Sequence, residues 1–515
     1  MSDPKRDLLG IILLGLPVLG GCLGAALLIS DAMPVFLASR FGGASPYGTL
    51  IHEDMASAVR LFSVFCVLCG VCAGLSLIFP ERMWKFWERI REWITSPRRH
   101  KRHVMGFALL LILFAAITYS GAFRIGFHSD DFAWLDSTAK TVQNPAHIFS
   151  RSQSHFFRPL TFLYHTINYS LFRGNPHLQH ISGIVFHGLA GFFVFLIVVK
   201  LSGRRILAGL AALLFCAYPV SSRSVMWISG SEIVFAGLIY LLAFYLFLLY
   251  LEQKKPAYYA ASFVLFVLGL MAKEAVISLA AAVFLAGFLF PKKASRWSGL
   301  PFVIIAVAFL LVQMSIQSDS FLLEDNVYVL NPGLMIQNYG GYAFASVIPL
   351  GHRILYLHPV LKGLSLVALA VFVPLALIFG GNLFRFLVLW YIVLLAPFVA
   401  FNLPVQPRYL YLPSLALSIL VALTLGALWA KFFALSRYRQ LALAAGFCLL
   451  VASALVQIHT AAVKMRFESI RMNAYIQDVK SDPQKMRAIK DGRLPADSPL
   501  TLDHLKAALK LEPLP

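Results

Sequence analysis

Apolar residues in this chain gather in long unbroken blocks, without the alternation of strands or the single stripe of surface helices. Blocks such as Gly188–Val199 and Phe235–Leu251 are apolar on every helical face, which a helix tolerates only inside a large core or a bilayer. About 20 residues are needed per crossing, and about thirteen segments come near that length. They lie near 8–30, 58–80, 104–124, 182–200, 205–220, 232–251, 257–272, 275–291, 298–316, 363–380, 385–401, 413–430 and 440–458. The pattern predicts an all-α membrane protein, a multi-span helical bundle. The first block is too long, and lacks a polar cleavage region after Gly20-Gly21-Cys22, to be a cleaved signal peptide.

The breaks between blocks carry the orientation. Residues 81–103 hold eight Lys and Arg among Trp84, Trp87 and Trp93, the mark of an amphipathic cytoplasmic segment lying on the membrane. Alternating from there puts Lys200 with Arg204 and Arg205, Lys254-Lys255, Lys292-Lys293 with Arg296, and Lys431 with Arg437 and Arg439 on the same side. The expected organisation is two leading spans and the basic segment over 1–103, a membrane domain over 104–458, and a short polar tail over 459–515 that falls outside by this count.

Composition narrows the class. The 515 residues are 59% hydrophobic and 13% charged. A soluble domain carries roughly 25% charged residues, so this chain has too few to wet a globule of its size. The net charge of +20 is an orientation signal rather than a nucleic-acid footprint, since the cations collect in loops of one side. Cys22, Cys66, Cys69, Cys72, Cys216 and Cys448 all sit inside apolar blocks, so no disulfide framework is implied.

The acids point the other way. Residues 104–457 contain nine: Asp130, Asp131, Asp136, Glu232, Glu252, Glu274, Asp319, Glu324 and Asp325. All but Glu252 fall on the outer side. Acids follow no strong topological rule, so this clustering marks a site. The first outer loop, 124–180, is far longer than a hairpin requires, and its apolar residues recur at helical spacing between Thr161 and Phe172. Interfacial helices are expected there.

Within that loop Asp130-Asp131 follows a span directly. Adjacent carboxylates at a half-dry boundary repel each other, which can lift one toward a useful general base. Equally, Ser129 or Asp130 could cap the helix that begins at Phe132. Arg158 has the planar fork suited to a phosphate, or to snorkelling among headgroups. His180 and His187 share a helix face seven residues apart; with no third ligand beside them, buried hydrogen bonding is the expected role rather than metal. Arg223 and Glu232, Lys273-Glu274, and Arg408 with Tyr409 and Tyr411 complete the charged outer rim. Lys273-Glu274 fits a salt bridge as well as a ligand site.

The ordered set Asp130-Asp131, Phe157-Arg158-Pro159-Leu160, His180 and His187, Tyr218-Pro219, Ala272-Lys273-Glu274 and Arg408-Tyr409-Leu410-Tyr411-Leu412-Pro413-Ser414 resembles membrane glycosyltransferases of the GT-C class. Within that class it looks most like the tetratricopeptide-bearing transmembrane O-mannosyltransferases and their bacterial relatives. The resemblance covers about residues 104 to 430. It departs at Tyr218, where that branch usually has His, in the absence of a tetratricopeptide array, and in the two leading spans. It implies a GT-C-like bundle that moves a sugar, with inversion, from a polyprenyl-phosphate carrier to a hydroxyl on a protein, lipid or glycan. On that basis Asp130 or Asp131 is the base, and Arg158, Lys273 and Arg408 hold the donor phosphate. His180, His187, Arg223, Glu232, Glu274, Tyr409 and Tyr411 support them. The implied location is a bacterial inner membrane with the site facing the periplasm.

No cofactor is required by this chemistry. A divalent cation among Asp130, Asp131, Glu232 and Glu274 is chemically open, because hard cations favour carboxylate oxygens, though no spaced His/acid motif accompanies them. The alternative function is a transporter or flippase of lipid-linked saccharides; it lacks the internal repeat such proteins tend to carry. A scaffold would leave the clustered acids without a role.

Overall fold

A computed structural model describes residues 100–150, 156–290, 295–317, 329–347, 359–402, 405–432, 437–495 and 498–510. The expected spans near 8–30 and 58–80, the basic segment before residue 100, and the acids Asp319, Glu324 and Asp325 lie outside them. The chain divides into two units, 1–105 with 425–467, and 106–424 with 468–515. Every candidate residue named above belongs to the second.

The described residues are helical, with no strand among them. The elements are α1 (His100–Thr118), α2 (Asp131–Gln143), α3 (Pro159–Leu171), α4 (Pro176–Ser202), α5 (Arg205–Cys216), α6 (Ser222–Met226), α7 (Ser231–Gln253), α8 (Pro256–Ala272) and α9 (Ser278–Leu289). They continue as α10 (Leu300–Gln317), α11 (Pro332–Val347), α12 (Pro359–Phe379), α13 (Asn382–Val399), α14 (Pro413–Phe432), α15 (Arg437–Ser481), α16 (Pro483–Lys490) and α17 (Leu502–Lys510). Among the described residues four helices are long and apolar enough to cross a membrane, or up to five with one bent pair counted as a span. Several other expected crossings, such as α8 and α9, are shorter apolar helices.

Local sequence explains the boundaries that matter. Asn175 starts α4, its side chain accepting hydrogen bonds from the amides of His177 (2.9 Å) and Leu178 (3.3 Å), with Pro176 in the first turn. Gly203, at φ 70, ends that helix in the left-handed conformation. The expected span near 205–220 instead bends by 45° where Tyr218-Pro219 intervenes, since Pro219 cannot continue the ladder of α5. The bend carries Arg223 to Glu232 across the end of the bundle.

Close approach of helices sets the frame. A Cβ on Gly183 of α4 would lie 2.9 Å from the Val225 carbonyl, and one on Gly237 of α7 would lie 2.8 Å from the Tyr411 ring. Small residues let backbones meet at such contacts. These two seat α6 and the segment before α14 against the bundle. On the opposite side from the acids, Lys200 and Glu252 join the last turns of α4 and α7 at 2.6 Å.

The described part of the polar stretch after 459 is largely helical. From Glu468 onward α15 runs to Ser481, α16 and α17 follow, and they fold back onto α2. Val479, Ile489, Leu500, Leu505 and Ala508 close a buried cluster over Phe132 and Leu135.

Candidate active site

Two charged clusters stand at the end of the bundle formed by the 124–180 loop and its neighbours. The first is built on the turn before α2. Ser129 has φ 52, a left-handed backbone unusual for a side chain larger than glycine. That turn aims the two acids in different directions. Asp131 is 1% exposed; one oxygen accepts the His128 amide at 3.0 Å, the other the Ser229 amide at 2.8 Å and the Ser229 hydroxyl. Burial raises the Asp131 carboxyl above the usual range, against the opposing pull of His128 and the Ser229 bonds.

Asp130 is its opposite. Its side chain is 44% exposed, and among the described residues its one hydrogen-bond donor is the Ser129 hydroxyl at 3.1 Å. Arg408 Nη1 stands 3.8 Å from one carboxylate oxygen and His504 Nε2 3.9 Å from the other. Asp130 occupies the N-cap position of α2 but makes no capping hydrogen bond. The carboxylate that closes the turn is that of Asp131, reaching back to His128.

Arg408 is held by aromatic faces. Its guanidinium lies 5.3 Å from the Trp227 ring centroid and 5.2 Å from that of Tyr409. Tyr409 is stacked on Phe398 and Phe401. The short helical turn Pro407–Leu410 is pinned by Tyr411, whose hydroxyl meets His187 Nδ1 at 3.1 Å, while His187 Nε2 meets the Cys216 carbonyl at 3.2 Å. A carbonyl only accepts, so Nε2 carries the proton and Nδ1 takes the Tyr411 hydrogen. His187 thus ties α4, α5 and the Arg408 segment together from a fully buried position. His180, also buried, binds the Ile125 carbonyl at 3.1 Å and holds the chain entering the loop.

The second cluster joins Arg158, Glu232, Lys273 and Glu274. Arg158 donates from Nε and Nη2 to the two Glu274 oxygens, each at 2.9 Å, and from Nη1 to Glu232 at 3.3 Å. Lys273 closes on the same Glu232 oxygen. Two cations and two carboxylates balance formally, with Arg158 and Lys273 both buried. Among the described residues the second Glu232 oxygen, also buried, has no hydrogen-bond partner. Beside the cluster, burial lowers His165 to about 4, and its ring stacks on Trp134 at 4.5 Å.

The structure therefore brings Asp130 to Arg408, and Arg158 to Lys273, Glu232 and Glu274. Arg223 faces Glu468 at 3.8 Å instead of either cluster. Sequence reasoning missed three participants. Ser229 and Trp227 lie between Arg223 and Glu232, already marked as rim charges, whereas His504 carries no local signal at all. Among the described residues no group of three or more His, Cys, Asp or Glu side chains is placed to hold a metal ion.

No protein-family model matches the chain. It is 32% identical over 108 residues to the mouse protein O-mannosyl-transferase TMTC3; the match covers 21% of this chain and 11% of that protein's length. Among solved structures, it is similar to that of ArnT from Cupriavidus metallidurans bound to undecaprenyl phosphate, with 13% identity and a TM-score of 0.42, over 79% of this chain and 85% of that one.

Proposed function

We propose that this multi-pass protein is a GT-C-like membrane glycosyltransferase, moving a sugar from a polyprenyl-phosphate carrier to an acceptor hydroxyl, with Asp130 as general base. The observation that carries this reading is the division of labour between adjacent acids. Asp131 spends both oxygens on protein donors, while Asp130 keeps an exposed carboxylate beside a guanidinium. The ordered motifs of the sequence and the partial match to an O-mannosyl-transferase support it.

In this reading the acceptor O–H gives its proton to Asp130 as its oxygen bonds the anomeric carbon. The bond from that carbon to the phosphate oxygen breaks on the opposite face, inverting the sugar. The leaving phosphate gains negative charge, and a cation already in place lowers that cost. Arg408 takes this role first, because its nearest carboxylate is 3.8 Å away. Arg158 and Lys273 bind the phosphate only by exchanging a carboxylate for it, and a paired guanidinium fork is a strong opponent. In this reading the cations supply the charge, and a divalent ion is an addition the chemistry allows without requiring it. The sugar, the acceptor class and a periplasmic site in a bacterial inner membrane stay part of the proposal.

The test is transfer of radiolabel from polyprenyl-phosphate-linked hexoses and pentoses into membrane extract by the purified chain. Asp130→Asn is expected to lower turnover by about 10²–10⁴-fold, the usual worth of a general base. Full activity in that variant would overturn the assignment. Movement of the labelled lipid across vesicles with no transfer would favour the flippase instead.

A further inference from the structure

Arg158 is firmly placed. Its guanidinium lies 4.2 Å from the Phe156 ring centroid, and Pro159 opens α3 directly after it. The Thr161 hydroxyl donates to the Ala272 carbonyl at 2.5 Å, which fixes that turn of α3 against the end of α8. Glu232 is held as well. It sits in the first turn of α7 beside Ser231, whose hydroxyl meets that of Tyr164 at 2.7 Å. Its bonded oxygen is shared by Arg158 and Lys273.

Glu274 is different. It stands in the short helical turn Glu274–Ile277 between α8 and α9, and its side chain is 19% exposed. Among the described residues its carboxylate takes hydrogen bonds from Arg158 alone, filling the Nε and Nη2 edge of the guanidinium at 2.9 Å each. Two oxygens of a phosphate match that same edge. Rotation of the Glu274 side chain toward solvent would vacate it without moving a helix.

We propose that Glu274 is a tethered stand-in for the donor phosphate, filling the Arg158 fork in the empty protein and leaving it when the phosphate arrives. This rests on the reading of the chain as a polyprenyl-phosphate-dependent transferase. The exchange conserves charge, since a phosphodiester brings one negative charge as one carboxylate departs. Arg158 is therefore never left as a lone buried cation, the costly outcome of breaking a buried pair. It also keeps Glu232 at 3.3 Å throughout. Glu232 in turn lies near enough to Arg408 to act on its charge, which sets the vacated edge beside the guanidinium that stands by Asp130. Glu274 thus selects for an anion strong enough to displace it, and weakens phosphate binding by the strength of its own bonds to Arg158.

The test measures binding of farnesyl phosphate, a short polyprenyl monophosphate without a sugar, to the purified full chain in detergent. Glu274→Gln removes the charge. Glu274→Asp keeps the charge but is one methylene too short to hold both bonds. Binding should tighten about tenfold in Glu274→Gln and about threefold in Glu274→Asp, as expected for loss of a competing charged hydrogen bond. Tighter binding in Glu274→Gln with wild-type affinity in Glu274→Asp would mean that the carboxylate acts through its field alone, and overturns the exchange. Unchanged or weaker binding in both variants overturns it too. Should Glu274→Gln unfold, the Asp variant, which still offsets the Arg158 charge, decides between the same outcomes.

Transfer from polyprenyl-phosphate-linked hexoses into membrane extract is read separately. Tightened phosphate binding in a protein that moves no sugar supports the exchange and removes the glycosyltransferase reading. Active transfer by wild type with no tightening in either variant does the reverse.

Discussion

Arg158 and Glu274, 116 residues apart in sequence, meet through two parallel hydrogen bonds of 2.9 Å each. The pair fastens the loop before α3 to the segment after α8. Cutting a buried ion pair on one side costs about 3–5 kcal/mol when the other charge is left alone; here Arg158 keeps its 3.3 Å bond to Glu232, so the cost falls below that range. Glu274→Ala should accordingly lower thermal stability in detergent more than any exposed-charge variant does. Removing both partners should recover part of the loss. A double-mutant cycle of Arg158→Ala and Glu274→Ala that shows no coupling would contradict the geometry.

Asp130→Asn and Asp131→Asn should separate function from stability. An Asn at 131 turns an amide donor toward either the His128 or the Ser229 amide, leaving buried donors face to face, at about 1–3 kcal/mol. Thermal unfolding of Asp131→Asn should therefore fall well below wild type. The Asp130→Asn protein should unfold as wild type does while its turnover falls by about 10²–10⁴-fold.

His165 gives the fold a dependence on pH. Its folded value of about 4 lies below the ordinary 6.5, so the neutral ring is favoured by folding. Its contribution is fully present above pH 6.5 and is lost as pH falls through 4. His165→Phe keeps an aromatic face for Trp134 and removes the titration. The stability advantage of wild type over this variant should shrink between pH 6.5 and 4 and then level off. A difference that stays constant with pH would show that the ring does not change its protonation on unfolding.

Leu505 is the anchor of α17. Truncation to Ala in a packed site costs about 2–5 kcal/mol, here drawn from the docking of one helix. Hydrogen exchange in Leu505→Ala should rise across α2 and α17 while α7 keeps its protection. Uniform loss of protection in all three would mean that the segment is not a separable layer.

Chelation is a further check on the chemistry. With Arg408 supplying the positive charge, transfer in EDTA should match transfer in added magnesium. Loss of activity that magnesium restores would assign that charge to an ion.

Much of the fold was legible because bilayer helices are apolar on all sides. The blocks that became α4 and α7 are continuous, and their ends carry the Lys and Gly of helix termini. Helix α11 was not among the expected segments. Its Asn338 and Ser346 are polar but face inward, Asn338 binding the carbonyls of Val399 and Phe401 at 2.8 Å each, so hydropathy understates its burial. The acids and cations of the site were all visible as types at a membrane rim. Their pairing was not, because no local pattern tells Arg158 to choose Glu274 over a phosphate. The difference between Asp130 and Asp131 rests on Ser229, 98 residues away from Asp131, and on a left-handed Ser129. His504 depends on a helix that reads as ordinary polar chain until its apolar face meets Phe132.

That last contact constrains how the chain threads the bilayer. Since α17 rests on α2, residues near 131 and near 505 share one side of the membrane, and the path between them makes an even number of crossings. The ten apolar segments expected from 182–200 through 440–458 would meet this parity if each crosses, whereas among the described residues four helices, or five with the bent pair, are long and apolar enough to do so. Demoting any one of the shorter helices to an interfacial or re-entrant element thus requires a second change elsewhere, so the span count can be revised only in pairs.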